Sequence, residues 1–233
     1  MMIGRSINLS APGTKGKKVK DMKEKDKELL AYYKRQIEKN NIKVCFETEI
    51  KDIYDIKADE YVIATGSMGP NRLHILGSER FITAQDYIAS GCEEGENIVI
   101  IGGGVTGCEI AYELACKGKK PVIVEVQDDI LIAPGSSMAN TSFLRDAFEY
   151  YNLPIYTSAK TVSATEQTIT IETAEGKEIN LKADVVVQSI GFKKGIPFEL
   201  PENVNNVHII GDAVKVSNLL NAVHTAYKLA MTI

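Results

Sequence analysis

Apolar residues in this chain fall into short β-branched runs separated by stripes of helical period, a pattern that predicts an α/β fold. The plainest run is Ile98-Val99-Ile100-Ile101, with the length and composition of a buried strand. A helical pattern follows from Val105 to Lys117, where Gly118 can end it in the left-handed conformation. A second strand then spans Pro121 to Val124. Upstream, Glu28 to Lys39 reads as an amphipathic helix with Leu29, Leu30, Tyr33 and Ile37 on one face. Asn40-Asn41 breaks it. Ile42 to Glu47 alternates like a strand, and Ile50 to Ile56 reads as another. Asp59 to Gly66 is a buried strand ending in Ala64-Thr65-Gly66, and Ser67 to Glu96 a connection with a short helix around Ala84 to Ala89.

The second half continues the pattern. Ser137 to Tyr151 reads as a helix and Pro154 to Tyr156 as a further parallel strand. Thr161 to Ala164, Thr168 to Thr173 and Glu178 to Leu181 make an antiparallel meander, turned at Ala174-Glu175-Gly176. Ala183 to Gly191 is a strand ending in glycine. Val207 to Ala213 is another that runs into Gly-Asp, and a helix begins near Asn218. No repeat of solenoid length is present.

Composition narrows the function classes. At 233 residues and 44% hydrophobic, the chain suffices for one large or two small domains. Its net charge of −4 gives no reason to expect nucleic acid. Without an apolar run of transmembrane length or a signal-peptide pattern, no membrane association and a cytoplasmic location are expected. Cys45, Cys92, Cys108 and Cys116 form no C-x-x-C pair, and His74, His208 and His224 have no metal-ligand spacing, so no metal is predicted. Cys108 and Cys116 read as small packing residues. Lys15 to Glu28, dense in lysine and acid, reads as a solvated loop and first helical turn, or else as an anionic docking patch. Met1 to Lys20 has no convincing period.

The candidate chemistry sits after the first strand. Gly102, Gly104 and Gly107 have G-x-G-x-x-G spacing, between a strand and a helix, with Glu125 closing the next strand. Gly102 allows the tight turn, Gly104 lets a pyrophosphate approach the backbone, and Gly107 lets helix and strand pack closely. Gly103, Val105 and Thr106 complete the phosphate-facing turn, where helix amides and dipole favour an anion. Glu125 is placed to accept hydrogen bonds from the adenosine ribose and to repel a 2′-phosphate. Val126-Gln127-Asp128-Asp129 offers no cation to reverse that, so NAD(H) is preferred over NADP(H).

Taken with Ala64-Thr65-Gly66, the strand ending at Gly191 and Ile210-Gly211-Asp212, the fingerprint resembles the two-dinucleotide-binding flavoproteins of the pyridine-nucleotide-disulfide oxidoreductase superfamily. Within it, the chain is most similar to the C-terminal part of the 2,4-dienoyl-CoA reductase, 2-enoate reductase and trimethylamine dehydrogenase branch. Ile3 to Gly13 supports that branch. The resemblance implies a Rossmann-like NAD(H)-binding domain at 96–191, inserted in a partial, N-terminally truncated FAD-binding domain made of 1–95 and 192–233. Asp212, with room from Gly211, would hold the FAD ribitol; the amides near Ala222 and Val223 would face the flavin. Glu109 matches a family position near the nicotinamide, while by itself it is an acid favoured by the helix dipole. His224 is read as solvated.

Only one fingerprint is present, so the resemblance implies a fragment. The FAD fingerprint, a flavin-mononucleotide barrel and an iron–sulfur domain would lie upstream. The expected activity is hydride transfer from NADH to FAD in an enoate or 2,4-dienoyl-CoA reductase-like protein, with no acid or base catalyst in this part. Alternatives are a non-catalytic ADP-binding module of the trimethylamine dehydrogenase type, and an NADH oxidase. A homo-oligomer is compatible with the sequence.

Overall fold

The computed structural model describes residues 17–90, 95–132, 137–200 and 204–233, with side chains from residue 28 onward. Cys92 and the Ile3 to Gly13 segment lie outside them. In chain order the elements are α1 (Lys17–Lys39), β1 (Tyr61–Ile63), β2 (Ile82–Thr83), α2 (Ala84–Ser90), β3 (Ile98–Ile101), α3 (Val105–Cys116) and β4 (Val122–Val124). There follow α4 (Met138–Tyr150), β5 (Ile155–Tyr156), β6 (Lys160–Ala164), β7 (Thr168–Glu172), β8 (Glu178–Lys182), β9 (Val185–Gln188), β10 (Val207–Ile209) and α5 (Leu219–Ala230). Two compact units result, one built on Arg72–Ile190, the other on Lys25–Asn71 with Gly191–Ile233.

The Arg72–Ile190 unit is organised by a parallel five-stranded sheet in the order β2-β9-β3-β4-β5. β3 lies at its centre, with Ile98, Val99 and Ile100 fully buried, because helices and a second sheet cover its two faces. Side chains alternate across a strand. Ile98 and Ile100 therefore pack with Cys108, Ala111 and Leu114 of α3 and Leu144 of α4. Val99 and Ile101 pack on the other face with Ile169 and Ile171 of β7. The antiparallel meander β6-β7-β8 supplies that cover. Its turn places Gly176 at φ 74° and closes with Thr173 N–H donating to Lys177 O at 3.0 Å.

The segment read as a connection contains β2, which pairs in parallel with β9 through Ile82 and Thr83. Ala84 and Tyr87 of α2 join the same core. β2 and α2 thus fall within the compact unit that includes Arg72–Ile190, upstream of residue 96. A two-residue strand shows no readable alternation, so only pairing reveals it.

Asp184 ties the entry of β3 to that of β9. Its carboxylate accepts from the backbone N–H of Asn97 (2.9 Å) and Glu96 (3.0 Å) and from Asn97 Nδ2 (2.8 Å). The hydrogen bonds from Asn97, backbone first, hold its carboxyl below the usual aspartate range. A depressed native pKa contributes stability that is full above the unfolded value near ~3.9 and is lost as pH falls through the native value. Asp184→Asn should therefore lower the urea midpoint most at neutral pH, and the gap to the wild type should close as pH falls below about 4. A gap that stays constant with pH would contradict this.

In the other unit, β1 and β10 pair in parallel, Tyr61 with Val207 through Ile63 with Ile209. Four expectations change here. The first helix begins at Lys17 and not at Glu28; its lysines and acids are good helix formers at i, i+4 spacing and need no apolar stripe. Ile42 to Glu47 forms no strand, and Ile42, Val44 and Phe46 are all exposed. Within Ile50 to Ile56 the chain instead makes a short 3-10 helix, Ile53–Asp55. Asp52 accepts from Tyr54 N (2.9 Å) while Asp55 accepts from Asp52 N (3.1 Å), a reciprocal cap that overrides strand propensity. The strand expected from Val207 to Ala213 stops at Ile209, and Gly211–Ala213 is a 3-10 turn.

Candidate functional site

At the carboxyl end of β3 the chain reverses at Gly102, and α3 starts at Val105 with Gly104 as its N-cap. Gly102 N–H donates to Val124 O at 2.8 Å, tying the turn to the end of β4. The fold itself requires glycine at two of the three fingerprint positions, for separate reasons. Gly102 has φ 106°, and a Cβ on it would lie 2.3 Å from Ser189 O. Gly107 has an ordinary φ, but a Cβ would meet Gly102 O at 2.1 Å, so the helix rests directly on the turn. Gly104 differs from both. Its φ of −68° and ψ of 175° suit any residue, and a Cβ there would meet nothing within 4 Å.

Nothing in the protein itself calls for glycine at 104. The space beside it is open, and it lies where the first N–H groups of α3 have no side-chain cap. An open face against unsatisfied helix amides is an anion cradle by its chemistry.

Gly103 is held from three sides. Its N–H donates to Glu125 Oε2 at 2.5 Å, and its carbonyl accepts from Leu131 N (2.7 Å) and Cys108 Sγ (3.2 Å). Glu125 is only 6% exposed, and its Oε1 accepts from Gln127 N at 2.8 Å. The acid at the end of β4 is thus part of the turn's scaffold, with lone pairs remaining on both oxygens. Sequence reasoning gave Glu125 an external partner and missed this internal one.

Three further groups complete the surroundings. Burial, reinforced by the negative charge of Glu125, pushes the Cys108 thiol up to about 12, so it stays protonated at neutral pH. Burial also raises the Glu109 carboxyl, opposed by a hydrogen bond from Asn140. Arg145 on α4 grips the loop after Glu125. It donates to Asp129 Oδ1 (2.9 Å) and Oδ2 (2.8 Å) and to Ile130 O (2.7 Å). Arg145 is sixteen residues from Asp129, beyond any local motif, so the sequence window after Glu125 gave no sign of it.

Cys116 is exposed and not the packing residue expected, with its sulfur 3.6 Å from Tyr151 Oη. Among the described residues no cluster of His, Cys, Asp or Glu has the makings of a metal site.

The remaining candidates belong to the other unit. Ala64 and Thr65 are exposed beyond the end of β1, and Gly66 has φ 77° with open space where a Cβ would stand. Gly191 (φ 80°) carries the carbonyl that accepts from Asn71 N at 2.9 Å. Gly211 opens the 3-10 turn at φ 63°, and Asp212 Oδ1 accepts from Ser217 N at 3.1 Å, a turn-capping bond.

Helix α5 starts at Leu219, with Asn218 Oδ1 capping Asn221 N at 3.0 Å. Ala222 N–H already donates to Asn218 O at 3.2 Å. The amides at the open end are therefore those of Leu219 and Leu220, and not those near Ala222 and Val223 as the resemblance suggested. His208 Nε2 lies 2.9 Å from Glu60 Oε2, whereas His224 is exposed.

Comparison with known proteins supplies an independent view. The family model described as "Pyridine nucleotide-disulphide oxidoreductase" matches residues 10–203. A cinnamate reductase of Clostridium sporogenes is 32% identical over 220 residues, covering 92% of this chain and 33% of the relative. An NADH oxidase of Thermoanaerobacter brockii is 32% identical over 199 residues, covering 79% of this chain and 29% of that protein. Among solved structures, a 2-naphthoyl-CoA reductase in complex with 2-naphthoyl-CoA superposes with a TM-score of 0.74 at 28% identity. That match covers 89% of this chain and 32% of the reductase. The chain thus spans about a third of the length of these relatives. No helix among the described residues is long and apolar enough to cross a membrane.

Proposed function

Because the chain belongs to the pyridine nucleotide-disulphide oxidoreductase family, we propose that its Arg72–Ile190 unit is an NADH site within a longer flavin-dependent reductase. The observation that carries this reading is the open face at Gly104, beside uncapped helix amides and next to a buried acid. A dinucleotide pyrophosphate fits that donor set: it needs unshielded backbone N–H groups and no Cβ. Bound there, NADH would supply a hydride and FAD would accept it.

The roles of this chain's residues follow. The turn from Gly102 to Gly107, with Gly103, Val105 and Thr106, holds the phosphates. Glu125 accepts the adenosine ribose hydroxyls on its remaining lone pairs and disfavours a 2′-phosphate. Glu109 lies towards the nicotinamide end. In the other unit, Ala64, Thr65, Gly66, Gly191, Gly211 and Asp212 contribute to one side of an FAD site, Asp212 towards the ribitol. The amides that open α5 stand where negative charge on a flavin would be favoured. The FAD fingerprint is supplied by the rest of the longer protein, along with a flavin-mononucleotide barrel and an iron–sulfur domain. The names of the relatives support an enoate-type or aryl-CoA substrate there, reduced at a carbon–carbon double bond.

The test is calorimetric titration of the purified chain with NADH, NADPH and ADP. NADH binding tighter than NADPH supports the site and its preference. NADH no tighter than ADP would replace the hydride role by that of an ADP-binding module, and no binding of any of the three would overturn the site. Incubation with FAD, desalting and anaerobic NADH then reads the flavin half: a retained visible band that bleaches supports hydride transfer.

Glu125→Ala should weaken NADH by about tenfold, from lost ribose hydrogen bonds, and weaken NADPH less. Equal losses for the two nucleotides would remove the ribose role from Glu125. The same variant strips partners from Gly103 N–H and Gln127 N–H, so it should also lose about 1–3 kcal/mol of stability, read by denaturation.

A further inference from the structure

We infer that Asp129 sets the coenzyme preference of this site by withholding Arg145 from a 2′-phosphate, an inference that rests on the NADH reading above. The geometry begins with the loop that leaves Glu125. Glu125 grips Gly103 through its N–H, and Leu131 N–H grips the same residue through its carbonyl at 2.7 Å. A Cβ on Gly103 would lie 2.6 Å from Ile130 Cγ2, so the loop lies flat against the fingerprint turn. Its residues from 126 to 130 therefore border the ribose-binding acid. A guanidinium is present on that border, fixed in a forked pair with Asp129 and bonded to Ile130 O.

Arg145 is the type of group that accommodates a 2′-phosphate in dinucleotide sites, since its planar fork matches phosphate oxygens as well as carboxylate oxygens. Asp129 occupies that fork and cancels its charge. Its hydrogen bonds to Arg145 are the largest cause holding the Asp129 carboxyl below its usual range, so the pair stays ionised. Both side chains are about half exposed, 43% for Arg145 and 50% for Asp129, which leaves the guanidinium within reach of a ligand and the ion pair screened by water. The thiol of Cys108, bonded to Gly103, is affected by Glu125 and Arg145 in opposite senses. Asp129 opposes Arg145 at the same thiol, in keeping with the pairing of their charges. In the native arrangement the region presents the Glu125 carboxylate to a phosphate, and Arg145, occupied by Asp129, does not offset it. Preference is thus set by two carboxylates: Glu125 by contact with the ribose, Asp129 by occupying the arginine.

The experiment compares ADP with 2′,5′-ADP, which differ in the placement of one phosphate, on wild type, Asp129→Asn and Asp129→Asn/Arg145→Gln. Asp129→Asn is expected to tighten 2′,5′-ADP by about tenfold, the worth of one charge-assisted forked contact. ADP affinity should change by less than about twofold, because Asp129 touches neither Gly104 nor Glu125. The double variant should lose the gain, and raised salt should shrink it in the single variant.

Asp129→Ser serves if the asparagine variant melts early, with the same expected gain. An unchanged or weakened 2′,5′-ADP affinity in a folded single variant, with ADP still bound, would overturn the inference while leaving the nucleotide site intact. A gain that survives in the double variant would also overturn it, since Arg145 would not be its source. Wild-type protein that binds neither ADP nor NADH would overturn the site itself, and the inference with it.

Discussion

Replacing Gly104 by alanine is expected to weaken NADH binding by about a hundredfold, and by valine more, with the thermal midpoint lowered by a few degrees at most. The reasoning rests on what the residue does not touch. Its backbone is in an extended conformation open to all residues, and a Cβ would enter empty space. No strain or clash therefore reaches the folded state. Glycine is preferred to alanine at an N-cap, so that change alone costs about 1 kcal/mol or less, a few degrees of midpoint. The added methyl instead occupies the space a phosphate needs to reach the amides of α3. Hydrogen bonds to a charged group are worth about 1.5–3 kcal/mol each, and two weakened contacts produce the stated loss. Calorimetry with NADH and a melting curve on the same sample provide the check. Unchanged affinity in the valine variant would remove the phosphate site from Gly104.

The same substitution two positions earlier should do the opposite. Gly102→Ala is expected to destabilise the Arg72–Ile190 unit by about 4 kcal/mol or more, lowering its melting midpoint by roughly 15 °C. Two costs combine. A φ of 106° is unfavourable to any residue with a Cβ. That Cβ would also stand 2.3 Å from the carbonyl oxygen of Ser189 and 2.8 Å from its carbon. The obstacle is backbone, just past the end of β9, a strand paired with β3 in the sheet centre. It cannot rotate aside as a side chain would. Relief requires separating β3 from β9 near their carboxyl ends, where Ser189 N–H bonds Ile101 O at 2.7 Å. A midpoint within a few degrees of wild type would show that this turn has slack that the geometry does not suggest.

These two glycines explain why the fold of the Arg72–Ile190 unit was legible in the sequence. Its signals are local: a fully apolar strand, glycines at set spacing, an acid at the end of the next strand. Each is tied to a backbone requirement within a few residues. Features set by partners distant in sequence were not legible. β2 is defined by pairing with β9, about a hundred residues on, and the Asp129–Arg145 pair joins a loop to a helix across an interval no motif spans. Propensity misled where a side chain competes for the backbone. Ile50 to Ile56 has a strand's composition, but the Asp52 and Asp55 caps convert it to a 3-10 turn. The opening of α5 was legible, because Asn218 is a local cap; what differed were the amides taken from the resemblance, since Ala222 N–H lies past the first turn and donates to Asn218 O.

The bond between Gly103 and Glu125 has a consequence for how a ligand arrives. A glycine-rich loop is the most entropically costly kind of segment to order, and many such loops would have to be ordered when the ligand binds. Here the ordering is complete beforehand: the peptide at Gly103 is pinned at both its N–H and its carbonyl, and Gly107 seats the helix against the turn. A nucleotide binding there would need no rearrangement of the loop, so its association rate is expected to be set by diffusion and orientation, and differences in affinity among nucleotides to appear as differences in residence time.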